Sequence, residues 1–325
     1  MIFLNLAVLL VGFVALVKGA DVFVDGSSSL ARFFKVPSLV IGLTIVASGT
    51  SMPELAVSAS AALAGAEEIA LSNVVGSNIF NLLGILGICA LFYRIPVDSV
   101  IIKRDYPLSI LSTVGVLLAV ALPVFINGSF FTLGMEERAG TVSRLLGIVL
   151  FAVYSAYIIY LILDARKNPA PDDGGKNLPL WKSLLFIVFG LGLVIGGGEA
   201  VVYSARNIAR FFGMTETLIG FTIVAIGTSL PELVTSIVAA RKGDASLAVG
   251  NVIGSNIFNL LFILGLSAVI RPVGVNAASV YDLSVLVLIS TLVWIFSATK
   301  KRIGRTEGFI MLLCYTAETV FAIMR

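Results

Sequence analysis

The feature that most constrains this 325-residue sequence is that it contains itself twice. Residues 42–87 align without a gap on residues 220–265, 178 positions later, with 29 identities in 46 positions. The same offset reaches upstream, where Arg32-Phe33-Phe34 matches Arg210-Phe211-Phe212, Asp21 matches Glu199 and Gly12 matches Gly190. Downstream it falls to 177 at Asp105 and Asp282, then to 161 at Arg144 and Arg305, Gly147 and Gly308, and Tyr154 and Tyr315. A duplication of this length dictates architecture, because each copy is a folding unit that must pack against the other.

The solvent around those copies is lipid. Hydrophobic residues make up 58% of the chain, charged residues only 13%, and the mean hydropathy is +1.05. A soluble domain carries about a quarter charged residues, so this chain cannot cover its own surface in water. A membrane helix takes about 20 mostly apolar residues. Ten segments qualify: approximately 2–30, 36–63, 69–92, 106–126, 144–164, 183–206, 215–240, 246–270, 280–298 and 306–324. The first lacks the basic start of a signal peptide, carries Lys18 and Asp21 after its apolar stretch, and has a counterpart in the second copy, so it belongs to the mature fold.

The fold class that follows is an all-α integral membrane protein, with ten transmembrane helices arranged as two inverted five-helix repeats. Residues 1–164 form the first repeat, 165–182 a short cytoplasmic linker rich in Pro, Asp and Gly, and 183–325 the second repeat. Five is odd, so the second copy enters the membrane from the opposite side. Inverted repeats are a recurring plan of secondary transporters, whose sites lie near the midplane between the halves. With both termini outside the cell membrane, fifteen of the 22 Lys and Arg residues fall in inside loops, as the positive-inside rule requires. Arg32 then lies inside and its equivalent Arg210 outside.

Other totals remove whole classes of function. The chain has no histidine, which excludes His-based acid–base catalysis, haem ligation and most zinc sites. Cys89 and Cys314 sit in apolar runs and offer no disulfide framework. A net charge of +3, dispersed over separate loops, gives no nucleic-acid surface.

Two duplicated motifs carry the chemistry. Gly49-Thr50-Ser51-Met52-Pro53-Glu54 recurs as Gly227-Thr228-Ser229-Leu230-Pro231-Glu232, halfway along an apolar span in each copy. In water the Ser-x-x-Glu spacing is a capping box. Here proline removes an amide and clashes with the turn before it, and glycine permits unwinding. Each span therefore breaks, one half ending near Gly49 and the next starting around Ser51, with carbonyls at Ala47 and Thr50 facing a cavity. A carboxylate at this depth costs several kcal/mol, and Glu54 and Glu232 are two of them. The second motif, Asn73-Val74-Val75-Gly76-Ser77-Asn78-Ile79-Phe80-Asn81, recurs at 251–259 with Ile253 as its sole change. Asn73, Ser77 and Asn81 share one helix face, as do Asn251, Ser255 and Asn259. Such a stripe serves either as helix–helix glue or as site lining. Carboxylates, carbonyls and hydroxyls together make an all-oxygen set suited to Ca²⁺, Mn²⁺ or Na⁺ rather than soft metals.

These paired motifs on an inverted five-helix repeat resemble the α-repeats of the Ca²⁺/cation antiporter superfamily, most closely its prokaryotic sodium/calcium exchanger branch. The resemblance spans nearly the whole chain. It implies a central diamond of helices 2, 3, 7 and 8, no cofactor, and Ca²⁺ and Na⁺ as transported ions. Carried over by position, Glu54 and Glu232 bind Ca²⁺ with the carbonyls of Thr50 and Thr228. Sodium uses the same glutamates with Ala47, Ser51, Ser77, Ala225, Ser229 and Ser255, and three Na⁺ replace one Ca²⁺, so exchange is electrogenic. In several members the position of Asn259 is aspartate, tied to K⁺ in the potassium-dependent branch. Asn81 and Asn259 here leave two carboxylates and a K⁺-independent site. The partners implied are membrane lipid and the two ions, with no nucleic acid and no obligate protein. H⁺/Ca²⁺ antiport and a cation channel are the rival readings. A hydrolase built on Ser51 or Ser229 has no His or Lys to serve as its base.

Overall fold

The computed structural model describes residues 2–126, 134–169, 178–213 and 225–324. The middle of the expected linker and the start of the expected seventh span lie outside the described residues. The first repeat contains α1 (Ile2–Phe33), α2 (Ser38–Thr50), α3 (Met52–Ala64), α4 (Glu68–Phe92), α5 (Ile101–Asp105, continuing as Tyr106–Ile126) and α6 (Arg144–Lys167). The second contains α7 (Leu180–Phe211), α8 (Ala225–Thr228), α9 (Leu230–Arg241), α10 (Ala245–Ile270), α11 (Ala277–Lys300) and α12 (Arg305–Met324). Seven described helices are long and apolar enough to cross a membrane alone, and α2 with α3 makes an eighth as a bent pair. The broken α8–α9 span and α12 complete the ten.

The break in the second span falls where proline puts it. Pro53 occupies the first turn of α3, Ser51 leaves helical geometry at φ −83° and ψ 14°, and the two halves meet at a 50° bend. Ser229 does the same at φ −92° and ψ 11° ahead of Pro231. The anticipated capping box does not form. Neither serine caps its helix through its side chain, because each hydroxyl is turned to the opposite repeat.

Inversion is visible in how the ends meet. The 32-residue helices α1 and α7 run antiparallel, with Gly12 against Gly197, Gly19 against Gly190 and Gly26 against Ser183. Two short ribbons, which the helical reading did not include, tie loops expected on the same side. β1 (Ile95–Pro96) pairs antiparallel with β4 (Arg302–Ile303), and β2 (Arg138–Val142) pairs with β3 (Val273–Asn276). Arg241 reaches Asp21 at 2.6 Å, joining the end of α9 to α1. These contacts join segments expected on the same side of the membrane.

Helices α4 and α10 are the most enclosed. Phe3, Leu10, Leu145, Val188 and Leu288 are among the apolar side chains left exposed on the outer helices, as a lipid-facing surface requires. Several helices outrun the expected spans. The clearest is α5, which starts at Ile101 rather than 106 because its charged turn is internally paired. Arg104 lies 2.7 Å from Asp105 and 3.1 Å from Asp164, and Asp98 accepts the Val100 amide at 2.8 Å.

The α1–α7 contact depends on missing side chains. A Cβ on Gly190 lies 2.6 Å from the Phe23 amide nitrogen, whereas one on Gly192 meets nothing within 4 Å among the described residues. Overpacking a tight contact costs about 1–3 kcal/mol. Gly190→Leu therefore lowers the melting temperature in detergent by several degrees, and Gly192→Leu leaves it near wild type, as scanning fluorimetry will read.

Candidate ion-binding site

Both breaks point at each other's repeat. Ser51 Oγ donates to Glu232 Oε1 at 2.7 Å, and Ser229 Oγ donates to Glu54 Oε1 at 2.9 Å. Ser77 Oγ lies 3.5 Å from Glu54 Oε1, and Ser255 Oγ lies 3.0 Å from Ser51 Oγ and 3.5 Å from the Ala47 carbonyl. Both glutamates are buried, and the second oxygen of each, Oε2, has no hydrogen-bond partner among the described residues.

The polar stripe divides by depth. Asn73 donates to the Glu54 carbonyl at 3.1 Å and to Ser58 Oγ at 2.9 Å, tying α4 to α3. Asn251 repeats the arrangement, with 3.4 Å to the Glu232 carbonyl and 2.9 Å to Ser236 Oγ. These outer asparagines are helix glue, and they also fix the backbone that carries each glutamate. Asn251 additionally accepts from Thr50 Oγ1 at 3.1 Å.

Deeper in, the two repeats exchange amides. Asn78 Nδ2 donates to the Asn256 carbonyl at 3.1 Å, and Asn256 Nδ2 returns a bond to the Asn78 carbonyl at 3.2 Å. Their side-chain oxygens accept from Asn81 Nδ2 and Asn259 Nδ2, at 3.0 and 3.1 Å respectively for the Asn81–Asn256 and Asn259–Asn78 bonds. Both polar atoms of the Asn78 and Asn256 side chains are engaged, and the Asn81 and Asn259 amides are thereby held with Oδ1 buried and without a partner among the described residues. Asn81 and Asn259 each sit at the second residue of a π-helical segment, Phe80–Ile85 and Phe258–Ile263. The extra residue per turn rotates their side chains relative to the stripe, a distortion common at functional sites. Sequence spacing singled out Ser77 and Asn81 but missed Asn78, Asn256, Ser58 and Ser236. Asn78 lies off the stripe, and its sole signal is identity in both copies.

Around the two breaks, four buried carbonyl-type oxygens thus have no hydrogen-bond partner among the described residues: Glu54 Oε2, Glu232 Oε2, Asn81 Oδ1 and Asn259 Oδ1. All are acceptors, two come from each repeat, and the surrounding hydroxyls of Ser51, Ser77, Ser229 and Ser255 are buried with them. Leaving an acceptor buried and unpaired costs about 1–3 kcal/mol or more. A hard cation is the ligand that satisfies acceptors alone. Among the described residues no group of three or more His, Cys, Asp or Glu side chains is placed to hold a metal. Of the remaining predicted residues, the Ala47 carbonyl already accepts the Ser51 amide at 3.1 Å. Thr50 and Thr228 end their half-helices at the breaks, and Ala225 opens α8.

Comparison with known proteins accords with this geometry. The family described as Sodium/calcium exchanger protein matches residues 4–163 and 182–324, nearly all of both repeats, and the chain belongs to that family. It is a transporter family, and the chain is an integral membrane protein rather than an enzyme. The sodium/calcium exchanger MaX1 of Methanosarcina acetivorans is 34% identical over 98% of this chain and 99% of its own. The inner membrane protein YrbG of Escherichia coli is 36% identical over 87% and 86% of the two chains. The sodium-calcium exchanger NCX_Mj, in a structure soaked with zero Na⁺ and Ca²⁺, superposes with a TM-score of 0.81 at 32% identity, with full coverage (100%) of both chains.

The reciprocal amides give a direct test. Asn256→Leu strands the Asn78 and Asn81 groups that it engages, at about 1–3 kcal/mol for each buried unpaired group. The melting temperature of the purified protein falls by several degrees, and Asn78→Leu, its symmetry equivalent, produces a similar fall. An unchanged melting temperature in both variants contradicts the pairing.

Proposed function

We propose that the protein is a secondary antiporter that exchanges Na⁺ for Ca²⁺ across the cell membrane by alternating access. The observation that carries this reading is the set of four unpartnered oxygens, two from each inverted repeat. Relatives named as sodium/calcium exchangers support it. Glu54 and Glu232, ionised, give the site a charge of −2, which one Ca²⁺ cancels. Thr50 and Thr228 carbonyls complete its coordination. Three Na⁺ spread over the same glutamates and over Ser51, Ser77, Ser229, Ser255, Ala47 and Ala225 leave the loaded site at +1. Asn81 and Asn259 supply oxygens without charge, so K⁺ has no third carboxylate to neutralise.

In this reading residues 1–164 and 183–325 are the two repeats that rock about the site, 165–182 is their cytoplasmic linker, and both termini lie outside. Rocking exposes the site to one face at a time, as inverted-repeat transporters do. One net charge crosses per cycle, and 100 mV biases one charge by about 2.3 kcal/mol, close to fifty-fold in the equilibrium.

The test is ⁴⁵Ca²⁺ uptake into Na⁺-loaded proteoliposomes against choline-loaded ones, with membrane potential set by an ionophore. Uptake requires the Na⁺ gradient, its final extent follows the potential, and external K⁺ leaves it unchanged. Folded Glu54→Gln and Glu232→Gln proteins each lose it by at least a hundredfold. Equal uptake in choline-loaded vesicles indicates a channel, and uptake driven by a pH gradient alone indicates H⁺/Ca²⁺ antiport.

A further inference from the structure

Far from the central site, three spans end around one cavity. α4 stops at Phe92, α11 stops at Lys300 and α12 starts at Arg305, and the space between them measures about 370 Å³. The ends of three membrane helices fix its depth at the boundary between hydrocarbon and water. Its wall includes Phe92, Arg94, Lys300, Arg302, Arg305 and Glu307. The β1–β4 ribbon assembles the wall. Pro96 stands opposite Arg302, and the Val97 amide donates to the Lys301 carbonyl at 2.9 Å. This brings Arg94, just before β1, beside the turn that enters α12.

Four cationic side chains thus face one carboxylate, and that carboxylate is already engaged. Glu307 binds Lys300 Nζ at 2.9 Å and the Gly304 amide at 3.1 Å. Among the described residues, Arg94, Arg302 and Arg305 have no ion-pair partner. Three guanidinium groups lining one cavity without a carboxylate partner give it a positive potential that attracts anions. Their planar forks match phosphate oxygens in pairs.

The internal repeat supplies a control within the same molecule. The β2–β3 ribbon is the symmetry counterpart at the other face. There Val142 opposite Val273 replaces Ile303 opposite Ile95, and Thr141 opposite Gly274 replaces Arg302 opposite Pro96. By that register Pro272 stands where Arg94 does. The fold does not require arginine at these two positions, yet this face has it at both. Phe92, 68% exposed at the end of α4, lines the same cavity and offers an apolar surface next to the charges. A charged head beside an exposed ring at membrane depth is the chemistry of a lipid rather than of a free ion.

We propose that this cavity binds the phosphate headgroup of an anionic phospholipid, with Arg94, Arg302 and Arg305 on the phosphate and Phe92 along the first part of an acyl chain. The residue count of basic side chains makes this the cytoplasmic face, where anionic lipid attracts such clusters.

The experiment is native mass spectrometry of the detergent-purified full chain titrated with phosphatidylglycerol, with phosphatidylcholine of the same acyl length, and with inorganic phosphate as competitor. The wild type retains phosphatidylglycerol over phosphatidylcholine, and millimolar phosphate does not displace it. The double variant Arg94→Gln, Arg302→Gln retains at least tenfold less phosphatidylglycerol, while Arg166→Gln, Lys167→Gln, in the basic last turn of α6, retains it as wild type does. Should the double variant fail to fold, Arg305→Gln alone carries the same expected loss. Equal retention of both lipids, or undiminished phosphatidylglycerol binding by the folded double variant, overturns the proposal. Displacement by inorganic phosphate at equal affinity overturns the lipid assignment in favour of a soluble anion.

Discussion

Two hydroxyl-to-carboxylate bonds cross the centre of this protein, and the rest of the structure is arranged around them. Each glutamate sits where an isolated carboxylate costs several kcal/mol, and each is met by a serine from the other repeat, Ser229 for Glu54 and Ser51 for Glu232. Within its own repeat the Glu54 carboxylate has, among the described residues, only the longer approach of Ser77 Oγ at 3.5 Å, so the short bonds come from across the centre. The inverted duplication brings two broken helices together, each supplying the serine from which the other's glutamate accepts. The serines reach across because Pro53 and Pro231 interrupt the spans two residues after them, freeing Ser51 and Ser229 from helical geometry.

A second layer holds that crossing in register. The Asn78–Asn256 exchange joins α4 to α10 by main-chain and side-chain bonds in both directions. Asn73 and Asn251 anchor the backbone behind each glutamate. Buried polar networks of this kind specify one arrangement when every member is satisfied. Here the supporting asparagines are satisfied, while four oxygens around the site are left with capacity for a ligand. The contrast between a closed scaffold and open acceptors is what distinguishes an ion site from polar glue. It also suits a transporter of the sodium/calcium exchanger family, whose site must hold ions without becoming a permanent cage.

Much of this was legible in the sequence, for reasons that can be named. The repeat, the Pro-induced breaks and the two intramembrane glutamates are local signals: proline chemistry and charge in an apolar run read the same in any context. The roles of Ser51 and Ser229 were only half legible. Their spacing to glutamate spelled a capping box, but tertiary geometry gave the hydroxyls to the opposite repeat. Asn78 and Asn256 were not legible as partners, since a helical stripe counts neighbours along one helix and these bonds connect residues 178 positions apart. The ribbons were hidden for a related reason. β1 is two residues long and β4 is two residues long, too short for any alternation to register. The start of α5 was misjudged because Lys103, Arg104 and Asp105 look like a loop until Arg104 is seen between Asp105 and Asp164.

The central claim is that one cation bridges the two repeats through Glu54 and Glu232. Anomalous diffraction from crystals soaked in Sr²⁺ measures that most directly. One dominant peak is expected between the two Oε2 atoms, within coordinating distance of both glutamates, and it disappears in Glu54→Gln crystals under the same soak. A peak bound to one repeat alone, or one that persists unchanged in Glu54→Gln, contradicts it.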